Sequence, residues 1–127
     1  MWYDLISKTE FLDKLYNNIP MINNVDIYEI RLHDCGDRIL ISFRLDDIVD
    51  NVPAKWKIKE YDIPVINLEL FGIRSFSMET HANFYKATVT IAKSNEDLIV
   101  VKGTGNLNFE ILAEIGLIQS IEGDKKR

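Results

Sequence analysis

The side chains best equipped for chemistry in this chain fall into a few short stretches. His33-Asp34-Cys35-Gly36-Asp37 puts an imidazole, a thiol and two carboxylates within five residues. These types could ligate a metal ion or make a Cys/His nucleophile pair. Adjacent strand residues point to opposite faces, so convergence would require the turn itself to fold around an ion. The other histidine is His81 and there is no second cysteine, so no zinc pattern of the C-x-x-C kind exists. The stretch reads as a polar hairpin tip whose Asp34 and Gly36 supply turn geometry. "KGTGN" at 102–106 contains a short G-x-G. A phosphate-cradling loop opens a helix or carries G-K-[ST], whereas strand-like "LNFEI" follows here, which makes this a turn.

Twenty carboxylates offer many acid/base pairs, such as Asp46 with Asp50 or Glu60 with Asp62. A raised carboxyl pKa needs burial or a like charge held close, and the spacing predicts neither. No nucleophile elbow and no H-E-x-x-H occurs. The expectation is no enzyme, no cofactor and no metal. "DDIVDNVPAKWKIKEYDIP" (46–64) is different in kind. Three aspartates precede Trp56 and Tyr61, amphipathic rings of the type that anchor interfaces. Aspartates around an aromatic suit a basic protein surface, and Asp46, Asp47, Asp50 and Tyr61 are the candidate partner-binding residues. Trp56 is assigned to the core, fastening the loop to the domain.

The elements that must position these residues follow from periodicity. Ser7 and Glu10 match a capping box, with Ile6 and Phe11 as its hydrophobic staple. Phe11, Leu12, Leu15 and Tyr16 recur at helical spacing up to Asn17-Asn18 and Pro20, predicting one helix over about 8–17, packed on its Phe/Leu face. "VDIYEIRL" alternates, "HDCGD" turns and "RILISFRL" follows, predicting a hairpin over about 24–46. "VINLELFGIRSFSM" reads as strand with Gly72 at a bulge or bend. "FYKATVTIAK", "LIVVKG" and "LNFEIL" are further strands, and "IGLIQSIE" fits strand or short helix. The fold class is mainly β (α+β). It is an antiparallel curved sheet or β-sandwich of about seven to eight strands with one N-terminal helix, the body spanning about 24–121. Residues 123–127 are a frayed basic tail.

At 127 residues the chain is a single domain, able to bury roughly two-thirds of its unfolded surface without disulfide or metal. Cys35 has no partner within the chain, which fits a reducing compartment. "MWYDLISKTE" lacks a signal-peptide or membrane-helix pattern, so a cytoplasmic protein is expected. The net charge is -5, and three of the fifteen basic groups sit in the last three residues, so the body is more acidic still. A negative body repels phosphate backbones and attracts basic proteins. No nucleic acid and no membrane partner is expected.

A set of features in order carries a family resemblance. These are Trp2, Ser7, "LYNNIPMI" with Tyr16 and Pro20, the strand ending at "HDCGD", the Asp-rich connection into "PAKW", and "INLELFGIRSFSM" with its Gly72 bend. Over about residues 2–95 the chain resembles the immunity protein 50 family of bacterial polymorphic toxin systems. Val52 stands where that pattern has a second proline, and "GTGNLNFEIL" carries none of the motifs. The resemblance implies a small cytosolic antitoxin that occludes a cognate toxin, nucleases being one class of such toxins, and it brings no catalytic motif. Two other readings stay open: a β-domain holding a small hydrophobic ligand between its sheets, and a carboxylate-dependent hydrolase.

Overall fold

The computed structural model describes residues 1–126, and Arg127, the end of the expected tail, lies outside the described residues. Six antiparallel strands make up one sheet: β1 (Ile22–His33), β2 (Arg38–Arg44), β3 (Ile63–Thr80), β4 (Lys86–Lys93), β5 (Ile99–Gly105) and β6 (Leu107–Asp124). They close into a barrel in the order β1-β2-β3-β6-β5-β4. Closure removes the sheet edges that an open sandwich would leave unpaired. The expected seven to eight strands are therefore six. Gly72, at φ +65°, bends β3 and shifts its register between Ile73 and Ser75 without ending the strand. Likewise "LNFEIL" and "IGLIQSIE" are one strand, β6, running through Gly116. β3 pairs with β2 from Val65 to Phe71 and with β6 along its whole length.

Alternation supplies the interior. Ile39, Ile41 and Phe43 of β2, Ile66, Leu68 and Leu70 of β3, and Ile111 and Ala113 of β6 are completely buried. At Gly103 the cross-strand neighbour Phe109 lies over the bare backbone. A Cβ placed there would sit 2.2 Å from the ring, so glycine makes room for the aromatic.

The expected hairpin is present as β1 and β2, joined by a short 3-10 turn over Asp34–Gly36. The first helix is shorter than its pattern suggests. α1 covers Glu10–Leu15 with Thr9 at its N-cap. Ser7 is unavailable as a cap because its backbone is strapped to β6. Its N–H donates to the Gly116 carbonyl and its own carbonyl accepts from Ile118 N–H, both at 3.0 Å. Leu12 and Leu15 are buried, while Phe11 is 37% exposed and stacks edge-on against Trp56 at 6.0 Å. A second helix, α2 (Ala54–Lys59), stands inside the stretch read as loop. β6 runs to Asp124, two residues into the segment expected to fray.

Candidate functional site

The connection from Leu45 to Asp62 lies across one end of the barrel, fixed to it by backbone bonds. Leu45 N–H donates to Pro64 O (3.1 Å), Val49 N–H to Asp62 O (2.9 Å), and Asp62 N–H to Asp124 O (2.9 Å). Asp50 and Asn51 N–H both donate to the Leu15 carbonyl at the end of α1 (2.9 and 3.0 Å). Connection and first helix therefore hold each other, which is how a long non-strand segment stays ordered on a small domain.

Within it, α2 is built locally. The Pro53 carbonyl accepts from Trp56 N–H (2.9 Å) and Lys57 N–H (3.2 Å). Glu60 takes the left-handed conformation, φ +60°, and closes the helix, with Tyr61 N–H donating to Trp56 O at 3.0 Å. Trp56 is 9% exposed and belongs to the core cluster, as its sequence reading requires. Its indole and the Tyr61 ring both rest on Gly123. A Cβ there would come within 2.9 Å of the indole and 2.5 Å of the tyrosine ring. Tyr61 is half-buried, so much of its ring serves this seat.

The aspartates have more structural duty than their sequence suggests. Asp46 accepts from Arg44 Nε at 3.0 Å, and buried Arg44 also pairs with Asp26 at 3.0 Å. Asp50 accepts from Asn17 N–H at 2.9 Å, capping the chain just past α1. Asp47 is exposed, and its backbone carbonyl accepts from the Tyr16 hydroxyl at 2.6 Å. All three carboxylates bear on that hydroxyl. Burial raises the Tyr16 pKa well above its ordinary value, and the fields of Asp47, Asp50 and Asp46 raise it further. They thus form one negative patch, partly neutralised by Arg44. Beside Asp47, Ile48 is 55% exposed.

The acid pairs that could have worked together turn to separate partners. Glu60 faces Lys125 at 3.7 Å, and Asp62 accepts from Lys126 N–H at 2.8 Å. Asp34 pairs with Arg38 at 2.6 Å in the hairpin tip, where Cys35 is exposed. Among the described residues no three His, Cys, Asp or Glu side chains cluster as metal ligands. Gly105 runs straight on, through Asn106, into β6 rather than into a phosphate-facing helix. An apolar cleft of about 220 Å³ opens between β1 and β3, lined by Ile27, Ile30, Met78, Tyr85 and Leu107 among others. It is smaller than the few hundred Å³ usual for a drug-sized ligand. A wider, shallow groove of about 430 Å³ crosses the outer face, floored by Leu40, Ser42 and Asn67. Asn67 there accepts from the Ser42 hydroxyl and donates to Ser120 and Glu122. No helix among the described residues is long and apolar enough to cross a membrane.

These observations define a small antiparallel barrel with a filled interior, whose unusual surface lies on its longest connection. The chain belongs to the immunity protein 50 family, whose model matches residues 8–123. The match takes in the C-terminal third, which none of the resembling sequence motifs covers, and it begins after Trp2. No curated protein and no solved structure matches the chain.

Residue-level reading missed one feature of this end of the barrel. In α2 the residues Lys55, Lys57, Ile58 and Lys59 are all exposed, and Ile58, at 85%, is the most exposed large apolar side chain. Its placement follows once α2 is known to be helical. At about 100° per residue, burying Trp56 turns a residue two positions on to the opposite side.

Proposed function

We propose that this chain neutralises a cognate bacterial toxin in the cytoplasm by binding and occluding it, without catalysing a reaction. Membership of the immunity protein 50 family carries the reading. The contact surface proposed is the end of the barrel bearing the 45–62 connection, with Asp46, Asp47, Asp50 and Tyr61 among the contact residues. Its negative patch favours a toxin with a basic surface there. A nuclease, whose substrate cleft must attract phosphate, is one toxin class with such a surface. A standard interface takes about 800 Å² from each partner, and this domain exposes 7273 Å² in all, so it supplies such an area without a cavity or cofactor.

Co-expression with the toxin encoded beside it tests the reading: cells should survive with this protein and die without it. At residue level, Asp46, Asp47 and Asp50 changed together to Asn should slow association about tenfold at low salt, with the difference fading as salt rises. An unchanged association rate at low salt would remove the aspartates from the interface.

A further inference from the structure

The α2 surface carries a chemistry opposite to that of the aspartates in the same connection. Lys57 and Lys59 flank Ile58 on either side, and Lys55 lies one turn before it, on the same side of the helix. None of the three lysines makes an ion pair with a described residue, whereas most cations on the strands are paired: Arg31, Arg38, Arg44, Arg74, Lys86 and Lys93. An isoleucine held almost wholly in water contributes nothing to the core. Its base is nonetheless fixed, because Trp56 on the opposite side is buried over Gly123 and stacked on Phe11. A rigid aliphatic knob inside a ring of unpaired positive charge is arranged as a central contact with a polar rim.

We propose that Ile58 is a docking knob that enters an apolar pocket rimmed by acidic groups on the toxin, with Lys55, Lys57 and Lys59 meeting the rim. The inference rests on the toxin-binding reading and sharpens its partner. The connection is charged in two halves, acidic at 46–50 and basic at 55–59. The complementary toxin surface then carries a basic patch beside an acidic-rimmed pocket, rather than basic charge alone. Lysines alone suit an acidic protein rim or an anionic lipid surface, and continuity with the aspartates at 46–50 of the same connection, which repel lipid phosphates, selects the toxin. A single isoleucine offers too little apolar area for interfacial insertion, which takes a broad apolar face. Glu60 and Asp62, close behind the helix, would also repel an anionic membrane.

The test uses the full chain and the purified toxin domain encoded by the neighbouring gene. Ile58→Asp should weaken Kd by about 30-fold or more, the scale of a hot-spot loss. The triple variant Lys55→Glu/Lys57→Glu/Lys59→Glu should slow association about tenfold at low salt, converging with wild type at high salt. Since all four residues are exposed, thermal midpoints should stay within a few degrees of wild type, which separates contact loss from unfolding. If wild type binds tightly and both variants bind equally well, the knob is not in the interface, while the toxin reading stands. If wild type itself does not bind, the toxin reading falls and the inference with it. Capture by phosphatidylcholine–phosphatidylserine vesicles that depends on Ile58 would assign the knob to membrane and overturn the proposal.

Discussion

Trp56 and Ile58 stand two residues apart on one short helix, and truncating each to alanine should have opposite consequences. Trp56→Ala removes an indole that is 9% exposed, seated on Gly123 and stacked on Phe11. Core tryptophan truncations cost about 3–5 kcal/mol. The indole lies at the barrel end, where neighbours can partly collapse onto the gap, so the lower figure applies, about 3 kcal/mol. For a chain of this size total stability is roughly 6–19 kcal/mol, so the variant should still fold, with its midpoint lowered by about 10 °C. Ile58→Ala removes a side chain with 85% exposure, and alanine is the better helix former. Its effect should lie within about 0.5 kcal/mol of zero. Urea denaturation followed by circular dichroism measures both. In Trp56→Ala the remaining tryptophan, buried Trp2, whose Nε1 donates to Pro20 O at 2.9 Å, gives a fluorescence signal from the N-terminal 3-10 turn, Trp2–Leu5. A loss below about 1 kcal/mol for Trp56→Ala, or above it for Ile58→Ala, would refute the assignment of inner and outer faces to α2.

Two further substitutions probe the barrel and the negative patch. Gly103→Ala drives a methyl into the Phe109 ring, so it should destabilise by about 1–3 kcal/mol in the same urea titration, and substitution of Phe109 by leucine should relieve part of that cost. Tyr16 has a raised folded-state pKa, so above pH ~10 the unfolded chain ionises there first and stability falls with rising pH. Comparison with Tyr16→Phe, which lacks the titrating group, should remove a slope of about 1.4 kcal/mol per pH unit. Equal slopes in the two proteins would mean that the hydroxyl is not held neutral by burial and the three aspartates.

Much of this architecture is legible in the residues because local chemistry and global fold agree. "HDCGD" is turn chemistry between alternating strands, and a hairpin tip is what forms. Gly72 marks a bend because its left-handed conformation, φ +65°, is least strained in glycine, and a Cβ there would also meet the Glu114 side chain at 2.6 Å. What local reading misses is set by partners distant in sequence. The S-x-x-E pattern at Ser7 is overridden because β6 takes that backbone as a parallel bridge to Leu117. Gly116, inside the last segment, is glycine because the side chains of Ile6, Leu70 and Ile99 leave no room for a Cβ. α2 is hidden because six residues with one buried position give no periodicity, and its helical state rests on the seat for Trp56. Asp50 looks free in sequence because the Asn17 amide reaches it only through the fold, whereas Asp46 pairs with its near neighbour Arg44, whose second partner Asp26 comes from another strand.

The long β3–β6 ladder also joins the surface of the 45–62 connection to the last strand of the chain. Its rungs start at Thr80 opposite Leu107 and end at Ile63 opposite Asp124, the last enclosing nearly half the chain. Gly123, on which Trp56 and Tyr61 sit, and the Asp62–Asp124 bond both lie at that final rung. The surface formed by the 45–62 connection therefore depends on the last residues of β6 being paired. A chain lacking the end of β6 has no seat for Trp56 and Tyr61, so the surface proposed for toxin contact is tied to residues some sixty positions away in sequence.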